Sequence, residues 1–149
     1  MSPSFDPALG LMFVTARDAC GTFFNWKDEY TPGEGFRGGA VSRQNEVDHA
    51  ALRAIDVATG ERRWEFPYTA SSWAGVLSTA SGLVFAGSSG NFMAFDARSG
   101  KNLWHYQTGS ALYAGATTYM LDGRQYVLMP SGTTLTAFAL SEAVPAGGR

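Results

Sequence analysis

The chain has little of what marks several large protein classes. It holds one cysteine, Cys20, in 149 residues. No intrachain disulfide can form, and a lone thiol says little about redox compartment. Charged residues make up only 16%, and 13 acidic against 11 basic side chains leave a formal net charge of −2. That balance gives no general electrostatic reason to bind nucleic acid or an anionic membrane. No apolar run approaches the roughly 18 residues that span a bilayer. The start, Met1-Ser2-Pro3-Ser4-Phe5-Asp6-Pro7, has no basic cluster and no long apolar stretch, so no signal peptide is expected within this chain. Phosphate-loop and dinucleotide fingerprints are missing too.

Glycine and aromatics are what the chain does have. There are 18 glycines, and aromatics reach 13%, whereas average glycine usage is about 7%. The profile predicts a turn-rich, densely packed all-β protein. The length suits one domain of the usual roughly 100–200 residues.

A repeat organises the sequence. Ala54-Ile55-Asp56-Val57-Ala58-Thr59-Gly60-Glu61-Arg62-Arg63-Trp64 and Ala94-Phe95-Asp96-Ala97-Arg98-Ser99-Gly100-Lys101-Asn102-Leu103-Trp104 share the pattern Ala-x-Asp-x-x-x-Gly-x-x-x-Trp at an offset of 40 residues. A third, truncated copy stands at Thr136-Ala137-Phe138-Ala139-Leu140. Upstream of the second copy, Gly82-Leu83-Val84-Phe85-Ala86-Gly87 resembles Gly10-Leu11-Met12-Phe13-Val14-Thr15. A period of about 40–45 residues of short strands and turns is the length of one four-stranded propeller blade. In each copy the Asp side chain is placed to accept from backbone N–H groups just ahead of it, and the Gly supplies a positive φ. The reading is therefore all-β, with about three four-stranded antiparallel blades over 4–67, 72–107 and 112–140, the last incomplete. Strands are expected near 4–6, 11–16, 50–56 and 62–67, then 72–79, 83–88, 91–96 and 102–107, then 112–119, 125–130 and 133–140. The tail 141–149 is expected to fray.

Residues 17–49 break the repeat. The second blade uses a short turn where the first has this long connection, which carries Phe23, Phe24, Trp26, Tyr30 and Phe36 among several glycines. Five aromatics argue against free disorder, so the insertion is expected to fold over one face of the sheets or cover a neighbouring blade. Three blades do not close a ring, since closed propellers use four to eight. The chain is expected to be a piece of a longer protein, or to self-associate through its open blade faces.

Few residues outside the repeat suggest chemistry. Asp28, Glu29 and Glu34 share the insertion without the spacing of a calcium loop. His49 and His105 have no second His or Cys at zinc spacing. Ser88 and Ser89 lie in a hairpin turn, not in a nucleophile elbow. Cys20 has no activating partner in sequence.

The repeat resembles the tryptophan-docking motif of pyrroloquinoline quinone (PQQ) dependent alcohol dehydrogenases of the methanol and ethanol dehydrogenase type, which are built on eight-bladed propellers. The resemblance runs from about Ser4 to Leu140 and is like the C-terminal part of such an enzyme. It is carried by the two repeat copies, by Ser72-Trp73-Ala74-Gly75 leading into Leu77-Ser78-Thr79-Ala80, and by Tyr119-Met120-Leu121-Asp122-Gly123-Arg124-Gln125-Tyr126-Val127. By that resemblance, Trp73 matches a tryptophan that contacts the quinone. Arg17, Asp18 and Asn25 sit near a segment that approaches the cofactor. Trp64 and Trp104 match tryptophans that dock between blades, a structural role. The family's late Gly-Gly-Trp element is absent, and Ser131-Gly132-Thr133-Thr134 stand near its place. The family's catalytic aspartate, its calcium ligands and its adjacent cysteine pair belong to earlier blades and find no counterpart here.

The resemblance implies a periplasmic parent enzyme that oxidises a primary alcohol with PQQ and calcium and passes electrons to a cytochrome. The remaining blades would be this chain's partners, and the isolated chain is expected to be inactive. A non-catalytic scaffold or protein-binding propeller with the same repeat is the alternative reading. A fragment that merely self-associates is a third.

Overall fold

A computed structural model describes residues 1–43 and 49–140. Among these, every regular element is a strand. The first sheet combines β1 (Ser4–Asp6), β2 (Leu11–Asp18), β5 (His49–Asp56) and β6 (Arg62–Tyr68) in the order β1-β2-β5-β6. The second combines β7 (Leu77–Ser78), β8 (Leu83–Ser88), β9 (Asn91–Asp96) and β10 (Asn102–Gln107) in sequential order. The third holds β11 (Thr117–Leu121), β12 (Arg124–Ser131) and β13 (Thr134–Phe138). All pairings are antiparallel. β3 (Gly21–Asn25) and β4 (Gly39–Arg43) form a separate two-stranded hairpin inside the insertion.

β8 and β9 of the middle sheet are covered on both faces, which explains why they read as almost continuous apolar runs, while its outer strand β10 is largely exposed. Side chains alternate across a strand. Val84, Ala86, Met93 and Phe95 therefore pack toward the first sheet, against Leu11, Phe13, Leu52 and Ala54. Phe92 packs the other way, with Leu112, Val127 and Met129 of the third unit. Phe13, Phe92 and Phe95 are among the largest fully buried side chains. Each contributes about 1.5–3 kcal/mol through burial.

The repeat turns are built alike. Asp56 Oδ1 accepts from the N–H of Ala58 and Thr59 at 2.9 and 3.1 Å. Asp96 Oδ1 accepts from Arg98 and Ser99 at 3.1 and 2.8 Å. Gly60 and Gly100 close the two turns at φ +76 and +70°. The turn at Asp6, whose Oδ1 accepts from Ala8 and Leu9 at 2.9 and 3.2 Å, follows the same scheme. It passed unnoticed in the sequence because no Trp follows at the repeat spacing. Trp64 crosses from the first sheet to the second, where its indole N–H donates to the Ala97 carbonyl at 2.9 Å. Its ring lies against Gly100, where an added Cβ would meet the indole at 2.6 Å. Trp104 packs edge-on to Phe138 of the third sheet, 5.3 Å between ring centres, and edge-on to Phe92.

Three expectations need correction. The strand expected over 72–79 is only Leu77–Ser78. The residues before it bond sideways, Ala74 N–H to Ser72 Oγ and Val76 N–H to the Ser2 carbonyl, so no ladder forms. The strand expected from 112 starts at Thr117, because Leu112 turns into the core between the second and third sheets. Within the insertion, β2 runs to Asp18 and β5 starts at His49, which places its two ends side by side in register. The β3–β4 hairpin pairs with itself, and Phe23, Phe24, Trp26, Tyr30 and Phe36 stay more than half exposed, so the aromatics do not fold over a face of these sheets, which leaves covering a neighbouring blade of the parent as the other expectation. The tail 141–149 lies outside the described residues.

Candidate functional site

Antiparallel order sorts the loops to two ends of the sheets. One end carries the repeat turns and a shallow crevice lined by Asp6, Leu9, Ser81, Asp96 and Arg98. The other end carries the close of β2, the start of β5, the close of β6 and the crossover loop 69–76. Trp73 lies in that loop. Its neighbours are fixed: the Ser72 hydroxyl donates to the Gly87 carbonyl, and Ser88 Oγ donates to the Ala70 carbonyl at 2.8 Å. Ser72 and Ala74 on either side are 3% and 0% exposed, yet Trp73 itself is 51% exposed. It is therefore not a core residue. The Arg17 guanidinium lies over its ring, 5.9 Å from the centroid, within range of a cation–π contact.

Arg17 reaches that position from the β2 face directed at the second sheet. Across the first sheet it stands in register with Ala50, which pairs with Tyr68. Thr15 Oγ1 and the Tyr68 hydroxyl are buried here without a hydrogen bond of good geometry. Burial pushes the Tyr68 phenol well above its ordinary value, with Thr15 opposing the shift.

Asp18 faces the opposite side of β2, within a charged cluster. Arg53 on β5 donates through Nη2 to Asp18 Oδ2 at 2.6 Å and through Nε to Glu65 Oε2 on β6 at 2.6 Å. Arg62 also reaches Glu65 at 2.6 Å. His49 lies 3.4 Å from Asp18 and 3.6 Å from Glu65. Hydrogen bonds from Arg53 hold both carboxyls below their ordinary range, and Asp18 then Glu65 raise the guanidinium above its own. Arg53 and Glu65 are about one-fifth exposed, whereas Asp18 is 61% exposed.

The structure thus brings Arg17 and Trp73 together and places Asp18 on the reverse face of the same strand end. Asn25 closes β3 opposite Gly39 and stands in the separate hairpin. Sequence reasoning missed Arg53, Glu65, Tyr68 and Thr15. The β5–β6 register that joins the first two was legible from the repeat, since Arg53 and Glu65 directly flank Ala54 and Trp64.

A family model described as glucose/ethanol/alcohol dehydrogenase, beta-propeller domain, matches residues 66–127. A quinoprotein ethanol dehydrogenase from Pseudomonas aeruginosa is 40% identical over 79% of this chain and 19% of its own length. The chain belongs to the PQQ-dependent dehydrogenase β-propeller family. A lanthanide-dependent methanol dehydrogenase from Methylorubrum extorquens is 31% identical over 87% of this chain and 22% of its own length. Among solved structures, a quinohemoprotein alcohol dehydrogenase from Comamonas testosteroni superposes with a TM-score of 0.77, at 28% identity over 88% of this chain and 22% of that one. A europium-containing methanol dehydrogenase superposes at 0.78, with 30% identity over 85% and 23%. The chain spans about a fifth of the length of the curated relatives it matches. The sheets are accordingly blades of a β-propeller.

Proposed function

We propose that this chain supplies consecutive blades to a periplasmic, PQQ-dependent alcohol dehydrogenase and contributes one wall of its cofactor site. The observation that carries the reading is Trp73, half exposed between two buried residues and capped by Arg17. PQQ is a flat aromatic polyanion, so the chemistry of these donors fits it. An indole face packs on a flat ring, and a guanidinium offers paired donors to carboxylates. Thr15 and Tyr68, buried beneath with incomplete hydrogen bonding, would add polar depth to the same wall. When bound, PQQ supplies the two-electron acceptor for a primary alcohol, with a cytochrome taking the electrons onward.

This chain's own residues bind and orient. Trp73 would pack on the flat ring and keep water from it, and Arg17 would balance the anionic charge. Asp18 is paired with Arg53 on the reverse face of the strand end. By the family resemblance, calcium falls to the parent's other blades. Trp64, and Trp104 by its place in the repeat, serve as docking tryptophans that fasten one blade to the next.

Titration of the chain with PQQ and calcium, followed by tryptophan fluorescence, tests the reading. Saturable quenching that is lost in Trp73→Ala is expected. Quenching that survives the substitution, or none in the unaltered chain, rejects the wall role.

A further inference from the structure

We infer that Arg53 is a positioning residue for the Arg17–Trp73 pair, acting through Asp18 at the end of β2; the inference rests on the cofactor-wall reading for its ligand, but not for its geometry. β2 ends at Asp18, and β5 resumes only at His49, so the Asp18–His49 pair closes the long insertion. A ladder's last pair is where fraying begins. Here one guanidinium ties that end to the two following strands, gripping Asp18 on β2 and Glu65 on β6 from its place on β5.

Alternation makes that grip matter on the other face. Asp18 and Arg17 are consecutive on β2 and point to opposite sides of the sheet. A twist of the strand end that frees Asp18 carries Arg17 with it, away from Trp73. The loop holding Trp73 is fastened separately, through Ser72 and Ser88 to the end of β8. What restrains β2 is therefore one determinant of the relative position of cation and indole. The planar fork of Arg53 suits two carboxylates at once, which a lysine at this position would not match. His49 spans the same two carboxylates, but at 3.4 and 3.6 Å its contacts are longer than the 2.6 Å bonds of Arg53.

The test compares the unaltered chain with Arg53→Met, Asp18→Asn and a control, Arg63→Ala, whose charge meets Asp56 and Glu61 at the other end of β6. Two readouts are taken in the folded state: the Trp73 indole N–H resonance, assigned by its loss in Trp73→Phe, and the PQQ dissociation constant from fluorescence quenching. Arg53→Met and Asp18→Asn are expected to shift the Trp73 resonance and weaken PQQ binding about three- to tenfold, with Arg53→Lys restoring only part and Arg63→Ala changing neither. A merely structural role would lower the thermal midpoint but leave the resonance of the folded protein in place. An unmoved resonance in both clamp variants overturns the inference. Should Arg53→Met fail to fold, Asp18→Asn carries the decision, because it leaves Arg53 paired with Glu65. Should the unaltered chain bind no PQQ, the cofactor reading falls, and the resonance alone still decides the role of Arg53.

Discussion

Two glycines at equivalent places in the repeat separate conformational need from packing need. Gly60 and Gly100 both hold a positive φ, but an added Cβ meets nothing within 4 Å at Gly60 and meets the Trp64 ring at 2.6 Å at Gly100. Gly60→Ala is expected to cost about 1 kcal/mol from backbone strain alone. Gly100→Ala is expected to cost about 2–4 kcal/mol, since strain and overpacking add. Urea unfolding of both variants measures the difference, and equal losses would mean that Trp64 does not dock on Gly100. The candidate site shows the same contrast between pattern and environment. Trp73 was visible by resemblance, but a tryptophan's letter does not say whether its ring is covered. Its exposure comes from the sideways hydrogen bonds of Ser72 and Ser88.

Strand elements followed the alternation of side chains closely wherever both faces of a sheet are buried. β8 and β9 run over the expected residues because most of their positions are buried, whereas β10 keeps the expected span as a largely exposed outer strand. The expectation failed at 72–76 and 112–116, where apolar residues serve loops that plug the spaces between blades. Between β2, β5 and β6 the charged cluster adds a pH dependence. Asp18 and Glu65 have folded values below their ordinary ones. Their stabilisation is therefore full above about pH 4.5 and is lost as pH falls through the lowered values. Thermal midpoints are expected to drop on acidification below about pH 4, and to drop less steeply in Arg53→Met. The hairpin is an element apart. Replacing residues 19–48 with a two-residue turn is expected to change stability by less than about 1 kcal/mol, because the hairpin pairs with itself and its aromatics are exposed. A larger loss in denaturant melts would show that the insertion supports the blades.

At the scale of the whole molecule, the arrangement leaves outer faces open. Phe5 on the first sheet and Leu135 on the third are 52% and 62% exposed. β13 ends the third sheet without a fourth partner among the described residues. Exposed apolar faces and free strand edges favour association. Analytical ultracentrifugation is expected to give an apparent mass that rises above 15.9 kDa with concentration. Co-expression with the preceding blades of a full-length relative is expected to suppress that rise. A monomer at every concentration would mean that the open faces are covered from within.

The family was legible by resemblance; the repeat, the all-β class and the turns at Asp56 and Asp96 were legible from the residues themselves. They depend on local rules: an Asp that caps its own turn, a Gly at positive φ, and apolar residues alternating or continuous with burial. Tertiary structure decided which residues share a site. Arg17 meets Trp73 and Arg53 joins Asp18 to Glu65 only because antiparallel pairing brings the ends of β2, β5 and β6 to one edge. Contacts between residues that are distant in sequence are set by that pairing, which short local patterns specify only where the repeat fixes the register.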